Sequence, residues 1–293
     1  MTRLGIVGGT DIWHATAFSG ILNPKDEAGW QEAGFPPYAT RPVEGAQVVA
    51  LFDDDLAKAQ RLASLVEGIE LVTDRLEDLL GQVDGVLLCD DLSLQHQQRA
   101  PLFLEAGLPT FIDKPLSRDP AEAEALLNLA ARCGAPVMSG SALRYSTELE
   151  AVDLPALGEL RTVLACGPGE LVFYGIHPCE FLLSTLGPGV KRLRNLGLAG
   201  QNHIVLDYED GRMGVLVVRE DIGYTFRAVL LGSQGSAALD IQDGEGYYRN
   251  LLSTFVAMVR TRVQPVPSSA ILEVIRVLDA ALRSQESGDA VDL

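Results

Sequence analysis

The chain has 293 residues, 47% apolar and 22% charged, the proportions of a soluble globular protein with room for two domains of ordinary size. Its net charge of −17 sets up a field that repels phosphates and anionic headgroups, which argues against a nucleic-acid or membrane partner. Cys89, Cys133, Cys166 and Cys179 are scattered, with no C-x-x-C pair, and read as free thiols of a reducing compartment.

"MTRLGIVGG" enters a strand at once, with no signal-like segment, and no apolar run approaches the roughly 18 residues of a membrane span, so a cytoplasmic protein is expected. The first strand, "RLGIVG" (3–8), leads into a helix over 11–22. A strand at 47–52, a helix over 54–68 stopped by Gly68, a strand at 69–72, a short helix near 75–80 and a strand at 84–89 follow. A helix over 95–107 can hold Pro101 only in its first turn, where a missing N–H costs nothing. A strand at 109–113, a helix over 119–133 and a strand at 136–140 complete the run. Continuously apolar strands alternating with helices predict a parallel sheet covered on both faces, a doubly wound Rossmann-like α/β domain over 1–145.

The second half changes character. "HIVLDY" (203–208) and "MGVLVVRE" (213–220) flank a hairpin turn at Asp210-Gly211, and "YTFRAVLLG" (224–232) and "SAALDI" (236–241) follow. Helices are predicted near 247–262 and 270–286, the second capped by Ser268-Ser269 and ended by Gly288. Residues 146–293 are thus expected to form an α+β domain on a mostly antiparallel sheet, with the last helix a candidate to pack back on the first domain. The uncovered sheet face suits a subunit interface, in a homodimer or a higher homo-oligomer.

Residues 23–45 fit neither pattern, with four prolines, three glycines and three aromatics between the first helix and the second strand. A loop of this length is either an ordered surface insertion or a lid carrying Trp30, Phe35 and Tyr38 over a ligand.

Three places carry chemistry. After the first strand, Gly8 and Gly9 stand at a tight turn whose amides can hold a pyrophosphate, but Thr10 and Trp13 occupy the other two glycine slots of G-x-G-x-x-G. The Thr10 hydroxyl is a further phosphate donor. Asp53, at the end of the second strand, is placed to accept adenosine ribose hydroxyls and to repel a 2′-phosphate, which favours NAD over NADP. The plainer alternative is that Asp53, Asp54 and Asp55 cap the next helix. Third, "TFIDKPLS" (110–117) ends a strand on Lys114, one of only four lysines beside nineteen arginines. Pro115 biases Lys114 towards extended geometry, so that its ammonium can meet a substrate hydroxyl over the crevice.

The stretches "LGIVGG", "LFDDDLAKAQRLA", "VDGVLLCDDLSLQHQQRAPLFLEAGLPTFIDKPLS", "APVMSGSALRY" and "YGIHPCEFLLSTLG" together resemble the Gfo/Idh/MocA family of NAD(P)-dependent oxidoreductases, which act on sugars, inositols and related polyols. The resemblance implies that Lys114 is the active-site lysine beside the nicotinamide and that Asp90 and His96 line the nicotinamide-ribose side. It places His177 on a catalytic helix with Gly175 and Glu180 in family positions, while Phe173 stands where the family has an aspartate. An acid four residues before a histidine on a helix can orient its ring, and Phe173 cannot. Proton transfer is then shared between Lys114 and His177, with Glu180 a partial substitute for the missing acid. Arg144 and Tyr145 either contact substrate or tie the two domains together. The expectation is an NAD-dependent oxidoreductase acting on a polyol, sugar or sugar-derived substrate, without a metal. The alternative is a catalytically silent dinucleotide- or metabolite-binding protein of the same fold.

Overall fold

The structure, a computed structural model, describes residues 1–38, 42–90 and 94–293. The backbone divides into two compact units: residues 1–117, 124–139 and 248–267 in the first, and 118–123, 140–247 and 268–293 in the second.

In the first unit β1 (Thr2–Val7) leads into α1 (Trp13–Leu22), whose residues from His14 to Leu22 are all buried. A helix apolar on every side belongs in a core, and α1 has no polar face to offer solvent. Next comes α2 (Glu27–Glu32), capped by the Asp26 carboxylate, which accepts from Ala28 N. β2 (Ala46–Phe52) and α3 (Leu56–Leu65) follow, the helix capped by Asp55. α3 stops three residues short of Gly68, because Val66 is extended and pairs with Lys25. β3 (Leu71–Thr73), a 3₁₀ turn at Leu76–Leu79, β4 (Gly85–Leu88), α4 (His96–Glu105), β5 (Thr110–Ile112), α5 (Pro120–Cys133) and β6 (Val137–Ser139) complete the run.

All six strands are parallel, in the order β3-β2-β1-β4-β5-β6. This is the doubly wound topology expected, and the order reverses between β1 and β4, where such folds bind ligands. Pro101 lies inside α4 rather than in its first turn. The helix begins only at His96, and the buried side chains Ala100, Phe103 and Leu104 hold it in place despite the missing donor.

The insertion between α1 and β2 is folded rather than structureless. Trp30 is 2% exposed, its indole N–H donates to Pro36 O at 2.8 Å, and Phe35 meets it edge-on. Trp30 and Phe35 are therefore packing residues. Tyr38 lies against Trp13 and Tyr248. Residues 39–41 of the insertion lie outside the described residues.

The second unit opens with a 3₁₀ turn at Ala142–Tyr145 and two single-turn helices, α6 (Thr147–Glu150) and α7 (Leu154–Leu157). Then come β7 (Leu160–Pro168), α8 (Ile176–Leu186), β8 (Val190–Asn195), β9 (Gln201–Tyr208), β10 (Met213–Arg219), β11 (Arg227–Gly232) and β12 (Ser236–Asp240). α9 (Gly244–Thr261), α10 (Ser268–Ser287) and β13 (Val291–Asp292) end the chain. The seven strands run β12-β11-β7-β10-β9-β8-β13, antiparallel except for the parallel pair β7 and β10. The Asp210-Gly211 hairpin joins β9 to β10 as predicted, whereas β7 and β8 were not recognised in the sequence. Along β9 and β10 alternate residues are fully buried, as in a sheet with one covered face.

α9 from Tyr248 onward groups with the first unit, and α10 with the second. Phe255 packs edge-on against Phe111 of β5, and Val259 presses on Gly85 of β4, which has no side chain to keep it away. Among the described residues no helix is long and apolar enough to cross a membrane.

Candidate functional site

In the first unit β1, β2, β4 and β5 all deliver their carboxyl ends to one edge of the sheet. β1 ends at Gly8 and Gly9, with φ of +75° and +60°, a left-handed turn that side-chain-bearing residues resist. Gly8 N–H donates to Phe52 O at 2.9 Å, which ties the turn to the end of β2. Thr10 is fully buried, and its amide and hydroxyl both donate to Asp53 Oδ2, at 3.0 and 2.8 Å. The Thr10 hydroxyl proton is thus given to Asp53 in this structure, and serving a phosphate would require it to change partner. Asp53 Oδ1 accepts from Asp55 N at 3.0 Å, and Asp55 caps α3. Asp53 therefore bridges the glycine turn and the start of α3, with capacity left on Oδ1 for one further donor.

Asp90, directly after β4, is buried and pairs with Arg99 of α4, which also holds Asp54. Asp91, next to it in the sequence, lies outside the described residues. His96 is 1% exposed, and its Nδ1 lies 3.2 Å from Leu116 O. A carbonyl only accepts, so Nδ1 carries the proton. Burial holds the imidazole below its ordinary range and hence neutral. Nε2 is then a lone-pair acceptor, and it is buried with no hydrogen-bond partner among the described residues. Such an acceptor is matched by a ligand hydroxyl or amide.

After β5, Asp113 and Lys114 are both buried, and Lys114 precedes a cis peptide bond to Pro115. Asp113 Oδ1 accepts the Lys114 amide at 2.7 Å, while Oδ2 pairs with His14 Nδ1. His14 Nε2 in turn lies 3.1 Å from the Tyr248 hydroxyl. Burial opposes the charge on Asp113, but the His14 ring and Lys114 outweigh it and hold the carboxyl below its ordinary range. The sequence reading missed this Asp113–His14–Tyr248 chain. His14 sits in an apolar helix, Tyr248 lies 234 residues further on, and no local signal joins them.

In the second unit α8 starts at Ile176, so Phe173 lies in the turn before the helix rather than one helical turn from His177. Glu170 organises that turn by accepting from Val172 N and Phe173 N at 3.1 and 2.6 Å. The ring of His177 is held instead by Ser141, whose Oγ lies 2.7 Å from Nδ1 and also accepts from Leu143 N. Ser141, within the quoted "SGSALRY", was not singled out because a serine at a turn reads first as a cap. Tyr174 and Phe226 meet the His177 ring edge-on, and Phe173 and Tyr224 extend this fence.

Glu180 is 1% exposed and accepts from Arg144 Nε at 2.6 Å, with its oxygens against Gly140. Its carboxylate is thus joined to Arg144, and the expected compensation for the missing acid at His177 is met by Ser141. Burial keeps the Glu180 carboxyl above its ordinary range, with Arg144 opposing. Burial likewise pushes the neighbouring Tyr145 hydroxyl upward. Beyond Phe226 lies a cavity of ≈ 640 Å³ lined by Tyr224, Phe226, Arg227, Asp240, Gln242 and Tyr247, among others.

Residues 5–141 match the family described as Gfo/Idh/MocA, "Oxidoreductase family, NAD-binding Rossmann fold". An inositol 2-dehydrogenase of Rhodococcus erythropolis is 24% identical over 234 residues, covering 70% of this chain and 67% of that protein. Among solved structures, GenD2 from gentamicin A biosynthesis in complex with NAD superposes with a TM-score of 0.80 at 19% identity, covering 100% of this chain and 97% of that one. Scyllo-inositol dehydrogenase from Lactobacillus casei, with bound NAD(H) and scyllo-inositol, gives 0.78 at 16% identity, covering 100% and 99%.

Proposed function

We propose that the chain, whose residues 5–141 match the Gfo/Idh/MocA oxidoreductase family, transfers a hydride between NAD and a hydroxyl carbon of a polyol, sugar or sugar-derived substrate. The observation that carries the reading is the convergence on one sheet edge of a left-handed glycine turn, a strand-end aspartate, a strand-end lysine and a buried histidine nitrogen with no hydrogen-bond partner among the described residues.

These residues fit a dinucleotide. Gly8 and Gly9 give the backbone approach for the pyrophosphate, Asp53 Oδ1 can take a ribose hydroxyl, and His96 Nε2 can take a hydroxyl or amide proton on the nicotinamide side. Asp90, at the end of β4, is assigned to the nicotinamide-ribose side. Bound NAD supplies the hydride acceptor for alcohol oxidation. The protein must supply a base for the hydroxyl proton and a donor to orient the oxygen. Lys114 is assigned the hydroxyl contact, its backbone fixed through Asp113. His177 is assigned a share of the proton transfer through Nε2, since Nδ1 is engaged by Ser141. The rings beside His177 favour a substrate with a C–H-rich ring face, as cyclic polyols have. Arg144, Glu180 and Tyr145 support the wall behind it.

The outer face of the second sheet carries Val205, Val215, Leu164 and Val229 in one cross-strand row, with Val217 two residues along β10 from Val215, and this apolar surface supports a homo-oligomer. The function is tested by titrating NADH and NADPH against tryptophan fluorescence, then screening polyols with wild type and Lys114→Ala. Saturable binding, tighter for NADH, with turnover reduced by roughly a hundredfold or more in a folded Lys114→Ala protein, is the expected result. Near-normal turnover in that variant would remove Lys114 from the mechanism.

A further inference from the structure

Arg99 is the feature of the cofactor edge that the function above does not use. Its side chain is 6% exposed, and it holds two carboxylates at once, Asp90 on Nη1 and Asp54 on Nη2. Gln95 Oε1 accepts from Nη2 at 2.7 Å, and the guanidinium lies 5.2 Å from the centre of the Phe52 ring. Phe52 and Asp54 come from the end of β2, Asp90 from the end of β4 and Arg99 from α4, so three elements converge on the turn after β1.

A Cβ on Gly8 would fall 2.5 Å from Arg99 Nη1 and would also strike the Asp90 carboxylate. The ion pair thus lies directly against the turn along which a dinucleotide fold lays its pyrophosphate. Two donors of that turn, the amide and hydroxyl of Thr10, are already given to Asp53. In a chain of net charge −17, a cation placed here is the means of attracting an anion.

We propose that Arg99 grips the cofactor's pyrophosphate and that Asp54 is its displaceable stand-in, so that binding exchanges a carboxylate for a phosphate on one guanidinium. The proposal rests on the NAD reading. The two carboxylates differ in the way such an exchange requires. The Asp90 side chain is 5% exposed and has nowhere to go, whereas that of Asp54 is 65% exposed and returns to water at little cost. A guanidinium has a planar fork of donors that can serve two anions together, so Nη1 keeps Asp90 while Nη2 changes partner.

The test is a titration of NADH, and in parallel NADPH, into wild type, Asp54→Asn and Arg99→Gln at two salt concentrations. It is followed by energy transfer from tryptophan, with circular dichroism as the check on folding; half-exposed Trp13 is a reporter beside the turn. Arg99→Gln is expected to weaken both cofactors by about tenfold or more and to flatten the salt dependence, as loss of a charge-assisted bond requires. Asp54→Asn is expected to tighten both by about threefold to tenfold, because it removes the competitor and one negative charge. Asp54 is exposed, so this variant carries the test if Arg99→Gln does not fold. Unchanged binding in a folded Arg99→Gln protein, or weaker binding in Asp54→Asn, would overturn the exchange. A loss confined to NADPH would place Arg99 at a 2′-phosphate and overturn it too. Wild type that binds neither cofactor would take the NAD reading down with it.

Discussion

Replacing Arg144 with methionine removes the cation hydrogen-bonded to Glu180 while keeping the volume of its aliphatic stem. Glu180 is 1% exposed and cannot turn to water, so the carboxylate left behind must take up a proton. At pH 7, protonating a carboxyl of ordinary pKa near 4.3 costs about 1.36 kcal/mol for each of about 2.7 pH units, or ~3.7 kcal/mol, which bounds the loss. The sign follows from the direction of the shift. Burial already raises the Glu180 carboxyl in the wild type, so its contribution to stability is full below the unfolded value and declines as pH rises. Losing Arg144 raises it further, so the gap between variant and wild type is small near pH 4.3 and widens above it. Urea unfolding followed by circular dichroism at pH 5.0 and 7.5 should give a loss below about 1 kcal/mol at the lower pH and a clearly larger one, up to about 3–4 kcal/mol, at the higher. The double variant Arg144→Met/Glu180→Gln should lose the pH dependence. An equal loss at both pH values would refute the reasoning and make Arg144 a packing residue.

Ser141→Ala leaves His177 Nδ1 without its hydroxyl partner and uncaps the 3₁₀ turn, so melting should shift by about 1 kcal/mol and turnover fall about fivefold to thirtyfold. A displaced pH–rate profile that Ser141→Thr restores would mark orientation of the ring, and a melting shift alone would mark a cap. Tyr248→Phe removes the hydroxyl facing His14 Nε2 and should cost about 1–3 kcal/mol in a urea melt. The same variant should speed amide exchange at Lys114, whose N–H is held by the carboxylate that pairs with His14. Unchanged exchange there would disconnect Tyr248 from the lysine.

The parallel sheet was legible because its strands are buried on both faces and so read as unbroken apolar runs, as in "DGVLLC". β7 and β8 were not: "VKRLRN" places charges on the open face, and "LRTVLACGP" breaks its alternation with small residues. Lys114 stood out by residue type and by its place at a strand end, and His177 through the family resemblance alone. Their supports did not, since Asp113–His14–Tyr248 and Ser141–His177 join residues 99, 234 and 36 positions apart. Thr10 and Asp53 were both identified but assigned to a ligand, when their first obligation is to each other. A buried polar group must find a partner, and the sequence alone does not reveal which partner lies nearest.

The assignment of Tyr248–Pro267 to the first unit bears on the order in which the chain can fold. Synthesis delivers all six strands of the parallel sheet by residue 139, but Phe255 and Val259, which cover Phe111 and Gly85, come more than a hundred residues later. Until then the nascent sheet has an uncovered apolar flank, and the contacts that close it span a long stretch of sequence, a slow step in folding. A fragment ending at residue 145 should therefore stay soluble only with a chaperone, and adding residues 244–267 as a separate peptide should rescue it.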